Sequence, residues 1–149
     1  MKFTSLLARL LLVSTIVLSG SSFAATEQEM DANLDQLFSS HQNYHAFFDI
    51  FKTQVVAQNK AEVAKLVSYP IKVTLAGKKV QIKTSQQFIK NYEAIFTPDL
   101  VAVVKTQTYQ DLFANYQGLA IGKGQIWFSG ICQDNQCKKS TVLVIGINK

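Results

Sequence analysis

The stretch that decides the fold is Tyr69-Pro70-Ile71-Lys72-Val73-Thr74-Leu75-Ala76-Gly77-Lys78-Lys79-Val80-Gln81-Ile82-Lys83, where the apolar period changes from helical to two. Ile71, Val73 and Leu75 alternate with Lys72 and Thr74. Ala76-Gly77 makes a turn, after which Val80 and Ile82 alternate with Lys79, Gln81 and Lys83. Alternation on both sides of a short glycine turn predicts a β-hairpin with one apolar face. Its lysines fall on the polar side, where they keep a strand edge from pairing with another chain. An acidic partner is the other use for such a row.

Upstream, the spacing is helical. Met30, Leu34, Leu37 and Phe38 fall at i, i+4, i+7 and i+8, and Phe47, Phe48, Phe51 and Val55 continue in the same manner. Ser39, Ser40 and Asn43 predict a break between these two helices. A third short helix is expected over residues 60–67, where Val63, Leu66 and Val67 repeat at three and four.

Downstream, Thr84-Ser85-Gln86-Gln87 has the pattern of a capping box opening a helix through Phe88, Ile89, Tyr92 and Ile95. Thr97 caps a following helix with Pro98 at its first position. Residues 109–121 read as one long strand broken at Gly118. Gly122-Lys123-Gly124 is a turn, and strands follow over residues 125–132 and 141–147. In the first of these, Ile126 and Phe128 share one face and Trp127 takes the other, which predicts a central strand covered on both sides. Helices, a hairpin, a helical insert and a meander give an α+β fold, with N-terminal helices packed on a curved, mainly antiparallel, cone-like sheet.

That order resembles the nuclear transport factor 2-like superfamily. Phe47-Phe48-Asp49-Ile50-Phe51 looks like its opening aromatic helix, and Asn59-Lys60-Ala61-Glu62-Val63-Ala64-Lys65-Leu66 like its short second helix. Ser85-Gln86-Gln87-Phe88-Ile89-Lys90-Asn91-Tyr92 occupies the middle helix, and Gly124-Gln125-Ile126-Trp127-Phe128 opens a long strand. The resemblance covers about residues 41–149 and implies a cone fold. It selects no activity, because that fold carries isomerases, dehydratases, adaptors and small exported proteins alike.

The N-terminus has the three parts of a secretory leader. Lys2 and Arg9 are basic, residues 10–18 form a short apolar run, and Ser22-Phe23-Ala24 places small residues at −3 and −1 of a cut before Ala25. The run is shorter than the roughly 20 residues that span a bilayer, so no stable membrane insertion is expected. Removing 24 of 149 residues leaves 125, one domain with residues 25–40 as a helical extension. The expected compartment is the periplasm or the exterior. The leader takes two basic residues with it, so the formal charge of +5 falls to +3. It also takes Arg9, the only arginine in the chain. A mature chain without the bidentate fork of arginine is poorly suited to nucleic acid.

In an oxidising compartment Cys132 and Cys137 favour a disulfide. Half of a metal site is the competing chemistry, but no second cysteine pair exists. Asp134 and Asn135 between them are turn formers, which gives a hairpin clipped across its turn.

Catalysis on a cone of this kind would use a cavity acid and a tyrosine, and Asp111 is the one weak candidate. It would need burial and Tyr69, Tyr92 or Tyr116 within reach. A plain surface carboxylate is the simpler reading. His41, His45 and Asp49 are successive i, i+4 positions that could present three metal ligands, though the break near Ser39 interrupts the helix they need. No metal and no cofactor is expected. Trp127, Tyr92 and Tyr116 are the candidate ligand-binding residues. The expected function is a non-catalytic exported domain that binds a small apolar ligand or an envelope protein. The alternatives are an isomerase or hydratase using Asp111 and a tyrosine, and an inhibitor or immunity-type protein that projects the loop between Cys132 and Cys137.

Overall fold

The computed structural model describes residues 25–148. The expected secretory leader, residues 1–24, lies outside them. Six helices and six strands follow one another in an α+β order. Helices α1 (Glu27–Phe38), α2 (Gln42–Val56) and α3 (Lys60–Lys65) precede the hairpin of β1 (Ile71–Leu75) and β2 (Lys78–Ile82). Next come α4 (Ser85–Lys90), α5 (Tyr92–Ile95) and α6 (Pro98–Thr106), then β3 (Phe113–Asn115), β4 (Gly118–Ile121), β5 (Ile126–Cys132) and β6 (Ser140–Ile147). The strands form one curved, unclosed sheet in the order β2-β1-β6-β5-β4-β3. All neighbours are antiparallel except β1 and β6, which run parallel.

Local chemistry sets the element ends. Thr26 and Glu29 close a reciprocal capping box on α1. Ser39 then takes a left-handed conformation at φ 65°, which ends α1 and turns the chain into α2. The expected break is here. Thr84 caps α4 by accepting from the Gln87 N–H, but the Gln87 amide oxygen accepts from Lys83 rather than closing the box on Thr84. The expected single helix beyond it divides at Asn91. The Asn91 side chain donates to the Gln87 carbonyl, a local bond that competes with helix continuation.

Residues 109–121 are not one strand. Tyr109 and Leu112 are buried in a turn, and β3 and β4 then pair as a hairpin in which Phe113 faces Ala120. The Asn115 side chain accepts from the Gln117 N–H inside that turn. Gly118, at φ +139°, closes it so tightly that a Cβ there would stand 2.4 Å from the Phe128 carbonyl oxygen.

The core lies between the helices and one face of the sheet. Phe51, Phe88, Phe128, Leu34 and Ile126 are fully buried there. Phe47 stands over Phe128 at 5.0 Å between ring centroids, and Phe51 meets Phe96 at 6.3 Å. The opposite face of β5 is not covered. Trp127 and Ile131 are half-buried, and Phe113, 55% exposed, meets the Trp127 ring edge-on at 6.0 Å. This corrects the expectation that β5 is covered on both sides. The helices pack on one face only, and the aromatics of the other face shield each other.

Candidate functional site

The residues singled out in the sequence are placed apart. Tyr92 is in α5 on the helical side, Trp127 is on the open face of the sheet, and Tyr116 is 80% exposed at the β3–β4 turn. Asp111 is exposed in the turn before β3, where Thr108 donates its hydroxyl to the Asp111 carboxylate. Tyr69 donates instead to the Ala64 carbonyl, at 2.9 Å. The buried acid beside a tyrosine that a proton-transfer site needs is therefore not formed at Asp111. Among the described residues no Asp or Glu is buried.

Tyr92 lies in the most site-like setting. It is 3% exposed, stacked on Phe96 at 4.8 Å and edge-on to Phe88 at 6.3 Å. Its hydroxyl is the only buried side-chain polar atom among the described residues that has no hydrogen-bond partner. Leaving such a group unpaired costs about 1–3 kcal/mol, and native folds keep few of them. Burial, and secondarily the charge of Glu93, pushes the phenol up to about 12.

A surface groove of about 520 Å³ runs past this residue. Its apolar lining comes from Tyr92, Phe96, Pro98, Val101 and Ala102, where α5 meets α6. Its polar rim is Gln58, Lys60, Glu93 and Lys105. Lys60 at the start of α3 donates to the Glu93 carboxylate and bridges the groove's two walls. That hydrogen bond holds the Glu93 carboxyl below the usual range. Lys105 has no such partner among the described residues. The volume falls within the roughly 300–1,000 Å³ of small-molecule sites. Of this lining only Tyr92 was legible beforehand, because its neighbours come from α3, α5, α6 and the turn before α3, separated by up to 47 residues (Gln58 to Lys105), and no local motif links them.

A second cluster joins α1 to the body. His41 Nδ1 lies 2.9 Å from Asp35 Oδ1, and His45 Nδ1 lies 3.4 Å from Asp31 Oδ1. Tyr109 donates to Asp31 at 2.8 Å, and its ring stacks on His45 with centroids 3.6 Å apart. Burial, and then Asp31, raise the Tyr109 hydroxyl well above its ordinary value. The histidines thus face carboxylates of α1, whereas Asp49 is exposed on another part of α2. Among the described residues no three His, Cys, Asp or Glu side chains could hold a metal ion. The cluster acts as a clasp that fixes a helix, since every polar atom named in it is committed to another within it.

Cys132 and Cys137 are disulfide-bonded, with Cα atoms 4.7 Å apart. The loop they close is exposed throughout. Asp134 orders it by accepting from the Gln136, Lys138 and Lys139 N–H groups at 2.9, 3.1 and 2.9 Å. These bonds hold the Asp134 carboxyl below its usual range. Among the described residues no helix is long and apolar enough to cross a membrane. Comparisons with models of known families, with curated proteins and with solved structures find no match for this chain.

Proposed function

We propose that this protein is an exported, non-catalytic binding domain that holds a small apolar ligand in the groove between α3, α5 and α6. The observation that carries the reading is a coincidence of place. The groove with an aromatic floor is also where the fold tolerates the one unpartnered buried hydroxyl among the described residues, that of Tyr92. Functional sites are where folds keep such local costs. The secretory pattern of the first 24 residues and the closed cysteine pair support export. Kinship with nuclear transport factor 2-like cones is proposed on element order alone.

Screening a panel of small apolar compounds by amide chemical-shift mapping tests the reading. Perturbations are expected at Phe96, Val101 and Ala102, and they should vanish in Ala102→Trp, which fills the groove. Perturbations confined to the Phe113–Trp127 face, or undiminished in Ala102→Trp, would refute it.

A protein-binding reading is favoured by one further feature, the loop ordered by Asp134 and the disulfide. A loop already fixed loses less entropy on docking. If this loop is the contact, a pull-down from envelope extract should lose its specific partner on Asp134→Ala and keep it on Ala102→Trp.

A further inference from the structure

We propose that the ligand of the α3–α5–α6 groove is an aliphatic monocarboxylate, its chain lying on Phe96, Pro98 and Val101 and its carboxylate facing Lys105; the inference rests on the groove being a binding site at all. Three charged side chains line the groove: Lys60, Lys105 and Glu93. Lys60 and Glu93 neutralise each other through their direct hydrogen bond, leaving one net positive charge, at Lys105. Lys105 is exposed in the last turn of α6, and no ion pair or hydrogen bond occupies its ammonium group among the described residues. One anionic group is therefore matched, and a dianion would meet Glu93 across the groove.

The rest of the lining specifies the body of the ligand. Tyr92, Phe96, Pro98, Val101 and Ala102 offer aromatic and aliphatic surface, and the one planar amide of the lining, Gln58, is on the rim. The absence of arginine after residue 9 bears on the head group. With no guanidinium fork available, the site offers one ammonium point charge, which matches a single carboxylate and leaves the second charge of a phosphate monoester unpaired. Chain length is limited by the groove's volume of about 520 Å³, which suits a medium-length tail.

The experiment titrates the full mature chain with octanoate and with octanamide, its uncharged counterpart, following amide shifts at Phe96, Val101 and Lys105. Octanoate should bind more tightly than octanamide. Lys105→Gln should weaken octanoate about three- to fivefold, the range of a solvent-accessible ion pair, and leave octanamide unchanged. Equal affinity for both probes, with no effect of Lys105→Gln, overturns the carboxylate assignment while leaving the groove as an apolar site. If neither probe perturbs these residues, or both still bind fully to Ala102→Trp, the groove reading itself falls and takes this inference with it.

Discussion

Tyr92 shows how much one side chain can tell and conceal. In sequence it shares the apolar face of a helix with Phe88 and Ile95, and its hydroxyl alone marks it as a candidate. Only the folded chain reveals that its hydroxyl is stranded. Tyr92→Phe removes that atom and nothing else, so it should stabilise the ligand-free protein by about 1 kcal/mol in denaturant unfolding. A loss of stability would mean that the hydroxyl has a partner. The tyrosines also predict an alkaline limit. Tyr69 and Tyr92 ionise near pH 12 in the fold, raised mainly by burial from 10.0. Between these values the unfolded chain releases protons that the folded chain retains. Their contribution is fully present below about pH 10 and is lost as pH rises through 12. Melts from pH 9 to 12 should therefore show a falling midpoint, with less of a fall in Tyr92→Phe. Asp111, exposed and bonded to Thr108, should tolerate Asp111→Asn within about 0.5 kcal/mol.

At the scale of elements, the β3–β4 hairpin is the sharpest test. Gly118 combines a φ of +139° with a close approach to the backbone of β5. Gly118→Ala should cost at least about 2 kcal/mol, since both the conformation and the contact oppose a side chain. A neutral result by thermal melting would show that the turn can relax. This hairpin was also the least legible part of the sequence. Residues 109–121 read as one long strand broken only at Gly118, and the reversal depends on an Asn115 side-chain bond and on that glycine meeting a distant carbonyl. By contrast, β1 and β2, α1 and α2 with their break, the Thr84-capped start of α4 and the Pro98 start of α6 were legible, because period and turn residues act within a few positions, although Thr97 makes no side-chain cap bond. The clasp between His41, His45, Asp31 and Asp35 shows the same limit. The histidine spacing was visible, but the partners lie on another helix, and the pattern along α2 alone pointed to Asp49.

Across the whole molecule, the α+β class followed from the order of periods, whereas the candidate groove did not, being assembled from separate helices. The disulfide-closed loop and the groove share no residue. Cys132→Ser should lower stability by about 2 kcal/mol, the loop-entropy value for so short a closure, without altering ligand shifts at Phe96 or Val101. A change in those shifts would show that the clipped loop and the groove communicate.

The parallel pairing of β1 with β6 has a consequence in time. The first hairpin of the chain is completed by its last strand, with Val73 opposite Ile147 and an isolated bridge from Val67 to Val144. A lone two-stranded hairpin is barely stable in water. While the ribosome is still extending the chain, β1 and β2 have no permanent neighbour, and their edge can be covered only after β6 has emerged. Such long-range closure is slow. Were the chain exported before it folds, that delay would keep the polypeptide extended enough to thread a translocation pore.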